Sequence, residues 1–245
     1  MKRFLLISIA CALAASAASA IDSRSALTTV LKTCEMSFKL SGASFPCLKV
    51  SESSEPLASY AILREPLADQ RTIFSPLAEI PGIEDPRLLL PGAPNFFAMA
   101  WRERSLALPE KRDDWNGVAL AINASVNRTQ DHLHIHMGCL APKVGEALRT
   151  AKVSSADFRR LSVKLDRTIY WARFFPGQDL VGLNPFKLVA DGVFLANRFM
   201  GGVTIGVIGG ERDGQRGFFI LANTMGPKPD HYASAESLID PKCGG

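Results

Sequence analysis

Three of the four histidines in the chain stand at alternate positions, in His132-Leu133-His134-Ile135-His136-Met137. Strict alternation reads as a strand with the imidazoles on one face and Leu133, Ile135 and Met137 on the other. Clustered histidines make a poor apolar interior, so the imidazole face is read as chemistry and the other as core. A shared metal ion is disfavoured by reach. On a regular strand the outer Cα atoms lie roughly 6.7 Å from the middle one. An imidazole plus a metal bond of ~2.0 Å spans only about that distance. No acidic residue follows closely to complete a ligand set, and Glu146 is ten positions beyond His136. Phosphorus chemistry suits the row better, since neutral imidazole is a good nucleophile and protonated imidazole donates to phosphate oxygens. No metal or other cofactor is expected.

The elements that must position this row follow from apolar periodicity. Leu27, Val30, Leu31, Cys34 and Phe38 form a helical stripe over Leu27 to Lys39, with Asp22 and Ser23 as candidate caps. Strands are expected at 60–64, 72–75, 118–122, 132–140, 168–174, 203–208 and 217–222. Asp213-Gly214 marks a hairpin between the last two. Helices are expected over 95–106, 145–151 and 155–163, and Pro81 to Pro94, dense in Pro and Gly, as a surface loop. With no βαβ alternation, the fold class is α+β with a mostly antiparallel sheet and flanking helices.

A chain of 245 residues with 47% apolar and 21% charged residues excludes disorder, collagen and coiled coil as whole-chain descriptions. A net charge of +4 from 28 basic and 24 acidic residues is too mild and mixed for nucleic acid, so no nucleic-acid partner is expected. Lys2 and Arg3, the apolar run Phe4 to Leu13 and Ala18-Ser19-Ala20 make residues 1–20 a secretory signal peptide or an N-terminal membrane anchor. Residues 21–245 then form a single domain. Its Cys34, Cys47, Cys139 and Cys243 are an even set in an exported chain, which favours disulfides. Four cysteines allow three connectivities. The expected one joins Cys34 to Cys47 within one N-terminal segment and lets Cys139–Cys243 staple the tail to the middle of the chain.

The run His132 to Gly138, preceded by an apolar strand ending in Asn123 and by Thr129, resembles the signature of the histidine triad superfamily. Within it the chain is most similar to the CDP-diacylglycerol pyrophosphatase family. Shared features are the hydrophobic N-terminus, Pro94-Asn95-Phe96-Phe97 through Trp101, Ala121-Ile122-Asn123 and Arg128-Thr129-Gln130-Asp131-His132. Cys139 and Ala233-Ser234-Ala235-Glu236 before Cys243 continue the likeness.

The resemblance implies a histidine-triad-like domain that hydrolyses CDP-diacylglycerol to CMP and phosphatidate in phospholipid metabolism. His134 would be the nucleophile, forming a cytidylyl-histidine intermediate. His132 and His136 would be flanking donors, and Asn123, Thr129, Arg128 and Gln130 would bind phosphate. It also implies a membrane surface as partner and a periplasmic location, anchored to the inner membrane or soluble if the signal is cleaved. Two departures stand out. Arg128 occupies a place where glutamine is common, and Glu79 lies where many relatives carry an upstream histidine; His231 falls in a Gly/Pro-rich loop. For lipid contact the candidates are Leu88 to Trp101 and Phe174-Phe175-Pro176-Gly177, although Phe96, Phe97 and Trp101 at helical spacing suit a core. A periplasmic nucleotide pyrophosphatase or phosphoramidase acting on soluble substrates is the alternative enzyme. A phospholipid- or metal-binding module without turnover is the alternative class.

Overall fold

The computed structural model describes residues 24–55, 57–65, 71–108, 114–224 and 234–243. The leader at 1–20, the candidate caps Asp22 and Ser23, and His231 lie outside them. Helix α1 (Ala26–Ser41) buries Leu27, Leu31 and Cys34, spaced four and three apart, so one stripe faces the sheet. It ends at Gly42, whose φ of 73° and N–H bond to the Phe38 carbonyl make a left-handed cap that a residue with a Cβ adopts poorly. Strands β1 (Lys49–Ser51), β2 (Tyr60–Arg64) and β3 (Thr72–Pro76) follow. The stripe packs on Val50, Ala61, Leu63 and Ile73, and Cys34 is disulfide-bonded to Cys47.

Helices α2 (Phe96–Arg102) and α3 (Arg104–Ala107) lead to β4 (Val118–Ile122) and β5 (Ile135–Leu140). After α4 (Pro142–Thr150) come β6 (Arg159–Arg160), β7 (Trp171–Pro176), α5 (Pro185–Gly192), β8 (Val203–Arg212), β9 (Gln215–Thr224) and β10 (Ile239–Asp240). Among the described residues the strands form one ten-stranded sheet in the order β1-β2-β3-β5-β4-β8-β9-β7-β6, with β10 on β5. Every pairing is antiparallel. The fold class expected from the sequence holds. Asp213 (φ 53°) and Gly214 (φ 74°) form the tight turn between β8 and β9, with Arg212 opposite Gln215.

Alternation along the strands divides the apolar residues between the two faces. Leu120, Ile135, Met137, Ile205 and Phe218 pack with Phe96, Phe97 and Trp101 of α2 and Phe186 of α5. Ala119, Ala121, Ile208, Phe219 and Leu221 pack with Val144 and Leu148 of α4 and with Leu238. His136 belongs to the second face, in a register row that reads Ile73, His136, Ala121, Gly206. Ile73 lies under α1, and a Cβ at Gly206 would collide with Leu238. The histidine therefore occupies the seam between α1 and the C-terminal turn. Among the described residues no helix is long and apolar enough to cross a membrane.

Several elements differ from expectation. The strand expected from His132 begins at Ile135, because its partner β3 ends at Pro76, which has no N–H to donate. The preceding run is tethered instead by the Leu133 N–H on the Ile80 carbonyl (2.7 Å) and the Ser75 hydroxyl on the Leu133 carbonyl (2.7 Å). Residues 155–163 are not helical: Ser154 bonds Asp157 and the backbone N–H groups of Ala156 and Asp157, and the segment then pairs as β6. The loop over 81–94 is anchored, with Ile83 and Leu88 buried and a 3₁₀ turn at Pro86–Leu89 capped by Asp85. Helix α5 is a further element not expected above, although Asn184 caps it and Pro185 opens its first turn.

Candidate active site

All three imidazoles are buried, with 2%, 6% and 4% exposure for His132, His134 and His136. His134 Nδ1 lies 2.7 Å from the His132 carbonyl oxygen. A carbonyl only accepts, so Nδ1 carries the hydrogen and Nε2 carries the lone pair. Burial, with a smaller push from His136, lowers the His134 pKa to about 4. At neutral pH His134 is thus an uncharged imidazole with its lone pair on Nε2, the form needed for attack on phosphorus.

His132 performs a different task. Its Nε2 donates to the Pro76 carbonyl at 2.8 Å, which leaves Nδ1 to accept from the Thr28 hydroxyl at 3.2 Å. Both nitrogens are engaged within the protein, so the ring has no N–H left for a phosphate oxygen. Burial lowers its pKa and favours this neutral form. His132 fixes the start of α1 to β3 and aims its own carbonyl at His134.

His136 is surrounded by charge. Its Nδ1 is 3.4 Å from Glu65 Oε2 and its Nε2 is 3.4 Å from Glu236 Oε1. Arg71 links the two carboxylates, with Nη1 on Glu236 Oε2 at 2.7 Å and Nε 3.1 Å from Glu65 Oε2. Burial opposes ionisation of Glu65, but His136 and Arg71 outweigh it and the carboxyl stays below its usual range. The His134 and His136 rings meet edge to face at 4.9 Å, so this charged cluster adjoins the His134 imidazole. The ligand atoms of Glu65, His136 and Glu236 lie within 4.8 Å of one another, close enough to hold a cation. The Arg71 guanidinium already pairs with both carboxylates, and His132 and His134 take no part in that set.

The other residues expected at phosphate are used largely for support. Asn123 Oδ1 accepts from the Ala235 N–H at 2.9 Å and Nδ2 donates to Glu236 Oε1 at 2.6 Å, so Asn123 latches the C-terminal turn beside His136. Arg128 is nearly buried and pairs with Glu84 at 2.6 Å and Asp131 at 3.0 Å. Asp131 also holds Arg24, which with Arg128 lowers its pKa to about 2. Gln130 accepts the Leu27 N–H at 2.9 Å at the start of α1. Thr129 is exposed at the tip of the same loop. Glu79 pairs with Lys32 at the surface, at 2.7 Å, rather than with the triad. Glu65, Arg71 and Glu236 were not singled out from sequence for a role. Of these only Glu236 fell inside a segment of family likeness.

A cleft of about 10 Å³ opens at the triad between Gly82, Asn123, Arg128 and His134. A roomier cavity, about 480 Å³, lies at the far end of the same sheet face, around Leu140, Gly145, Ile208 and Phe219. Four residues along β5 separate Leu140 from His136, roughly 13 Å, so that cavity lies apart from the triad. Neither candidate for lipid contact faces outward as a whole: Phe96, Phe97, Trp101, Phe174 and Phe175 are all buried.

The chain matches the family model described as CDP-diacylglycerol pyrophosphatase over residues 22–245. A Yersinia pestis protein described as CDP-diacylglycerol pyrophosphatase is 37% identical over 161 residues, covering 62% of this chain and 58% of that protein. Among solved structures, a DUF4931 family protein from Bacillus cereus aligns over 75% of this chain and 87% of its own, at 10% identity and a TM-score of 0.43. Yeast Ap4A phosphorylase in complex with Ap4A aligns over 76% of this chain and 65% of its own, at 14% identity and a TM-score of 0.39. With all but its first residues matched by that family model, and with His134 poised in the arrangement above, the chain belongs to the CDP-diacylglycerol pyrophosphatase family.

Proposed function

We propose that the protein hydrolyses CDP-diacylglycerol to CMP and phosphatidate by two displacements at the cytidylyl phosphorus. The observation that carries this reading is the His134 geometry: a buried neutral imidazole, its Nδ1–H fixed on the His132 carbonyl and its Nε2 lone pair free. In the first step Nε2 forms a bond to the α-phosphorus while the bridging P–O bond breaks, and phosphatidate leaves with that electron pair. A phosphate-monoester leaving group needs little help from an acid. In the second step water attacks the same phosphorus, the P–N bond breaks, its electrons return to His134, and the water's proton passes to solvent. His136 and its Glu65, Arg71 and Glu236 neighbours lie beside the reacting centre and order it.

Export agrees with two disulfides among the described residues, Cys34–Cys47 and Cys139–Cys243. Residues 1–20 act as signal or anchor, 21–245 as the single catalytic domain, and the substrate is taken from a membrane surface at the periplasmic side. The test is CMP release by purified protein from CDP-diacylglycerol in detergent, beside a water-soluble dinucleotide. CMP from the lipid substrate supports the reading. Turnover of the soluble substrate alone would replace it by a soluble nucleotide pyrophosphatase.

A further inference from the structure

Five large apolar side chains stand in water around α5: Leu90, Val181, Phe194, Leu195 and Phe199, with exposures of 55%, 71%, 71%, 48% and 59%. They belong to segments that touch. Helix α5 packs on the turn at Pro86–Leu89 and on the turn at Ala196–Arg198. Asn95 Nδ2 ties the loop after Leu90 to the Leu180 and Leu183 carbonyls on either side of Val181, at 2.6 and 3.0 Å.

The 193–199 segment is built to hold its apolar residues outward. The Ala196 N–H bonds the Val193 carbonyl at 3.1 Å, so Phe194 and Leu195 are the tip of a tight turn whose two ends are buried. Turn tips in water are normally Gly, Asn, Asp or Ser. Here the tip is Phe-Leu, and Leu195 has a φ of 62°, a left-handed conformation that a branched side chain rarely takes. A strained, wholly apolar tip marks a surface that meets something other than water.

The segment also leads to the site. The Phe199 ring lies against Gly201, whose carbonyl accepts the Ser125 N–H at 2.7 Å, two residues beyond Asn123. Gly201 also faces Glu84, the partner of Arg128 at the cleft. Charge does not explain the patch: residues 180–200 hold Lys187 and Arg198 against Asp191. A second exposed set, Met36, Leu40, Phe45 and Leu48, sits at and beyond the far end of α1. Leu40 is twelve helical residues from Thr28, the contact of His132, or roughly 18 Å along the axis.

We infer that the 193–199 turn is the edge by which the protein enters a phospholipid bilayer, with Phe194, Leu195 and Phe199 seated among acyl chains beside the catalytic cleft. This rests on the lipid-substrate reading for its purpose, though not for its test. The test uses the full chain with tryptophan placed at 194 (Phe194→Trp) or at 40 (Leu40→Trp), and vesicles of brominated phosphatidylcholine, whose bromine quenches only an inserted indole. Quenching above wild type is expected for Phe194→Trp and not for Leu40→Trp. Quenching at neither position, or equally at both, overturns the inference whatever the N-terminus does. In parallel, Phe194→Asp/Phe199→Asp should lower CMP release from CDP-diacylglycerol in phosphatidylcholine vesicles at least tenfold. Its thermal unfolding should stay near that of wild type. Insertion without CMP release by wild type would sink the hydrolase reading and leave the surface standing.

Discussion

The backbone carbonyl of His132 receives the Nδ1–H of His134 at 2.7 Å, so the first histidine of the row sets the tautomer of the second. Its own ring is held by Thr28 on α1 and Pro76 on β3, which fixes that carbonyl in place. The site is thereby assembled by two elements far apart in sequence from His134.

Removing the nucleophile should abolish chemistry without unfolding the chain. His134→Ala is expected to lower kcat by several orders of magnitude, with a far-ultraviolet spectrum like that of wild type. Near-normal turnover would refute the assignment.

The pH dependence follows from the same residue. His134 is neutral down to about pH 4 in the free protein, so the acid limb that it sets on kcat/KM should fall near pH 4. For stability, a histidine whose folded pKa is depressed stays neutral where the unfolded chain already binds a proton. Its contribution is intact above about pH 6.5 and is lost as pH falls toward about 4, by about 3 kcal/mol in all. Asp131, lowered to about 2, titrates below that window. Denaturant unfolding of wild type and His134→Gln at pH 7 and pH 5 checks the sign: the variant should lose less stability on acidification.

Glu236 should behave as a positioning residue. Glu236→Gln keeps an amide oxygen for Asn123 but no longer balances Arg71, and should lower kcat by about 10²-fold with KM changed less than threefold. Equal losses in both, or none, would remove it from the site.

The C-terminal staple should matter more than the N-terminal one. Cys139 and Cys243 are 104 residues apart, and β10 pairs Asp240 with Cys139 just after the turn that carries Glu236. Cys139→Ser/Cys243→Ser should cost roughly 4 to 5 kcal/mol in the chain-entropy account and also reduce turnover. Cys34→Ser/Cys47→Ser opens a loop of only 13 residues' separation and should affect mainly α1 and its seat. Melting curves with paired activity assays distinguish them.

Chelation should leave turnover unchanged. Arg71 already occupies the carboxylates of Glu65 and Glu236, the pair that with His136 could hold an ion, as their ion-pair partner. Loss of turnover on dialysis against a chelator, restored by zinc, would place a metal there.

Much of this was legible because it is local. The triad, the α1 stripe, the Asp213-Gly214 hairpin and the antiparallel sheet each rest on residues a few positions apart. What escaped depends on distance along the chain. Glu65, Arg71 and Glu236 meet across up to 171 positions, with no period or motif to join them. Arg128 looked like a phosphate clamp because its partner Glu84, 44 positions away, is visible only in the fold. The strand at the triad is shorter than its alternation predicts, since alternation alone cannot register that β3 ends in a proline.

The most direct measurement is the stereochemical course at the cytidylyl phosphorus, using CDP-diacylglycerol made chiral there with sulfur and an oxygen isotope and hydrolysed in isotopically distinct water. Two in-line displacements through a His134 adduct predict net retention of configuration in the CMP thiophosphate. Net inversion would show a single attack by water and contradict the covalent role of His134.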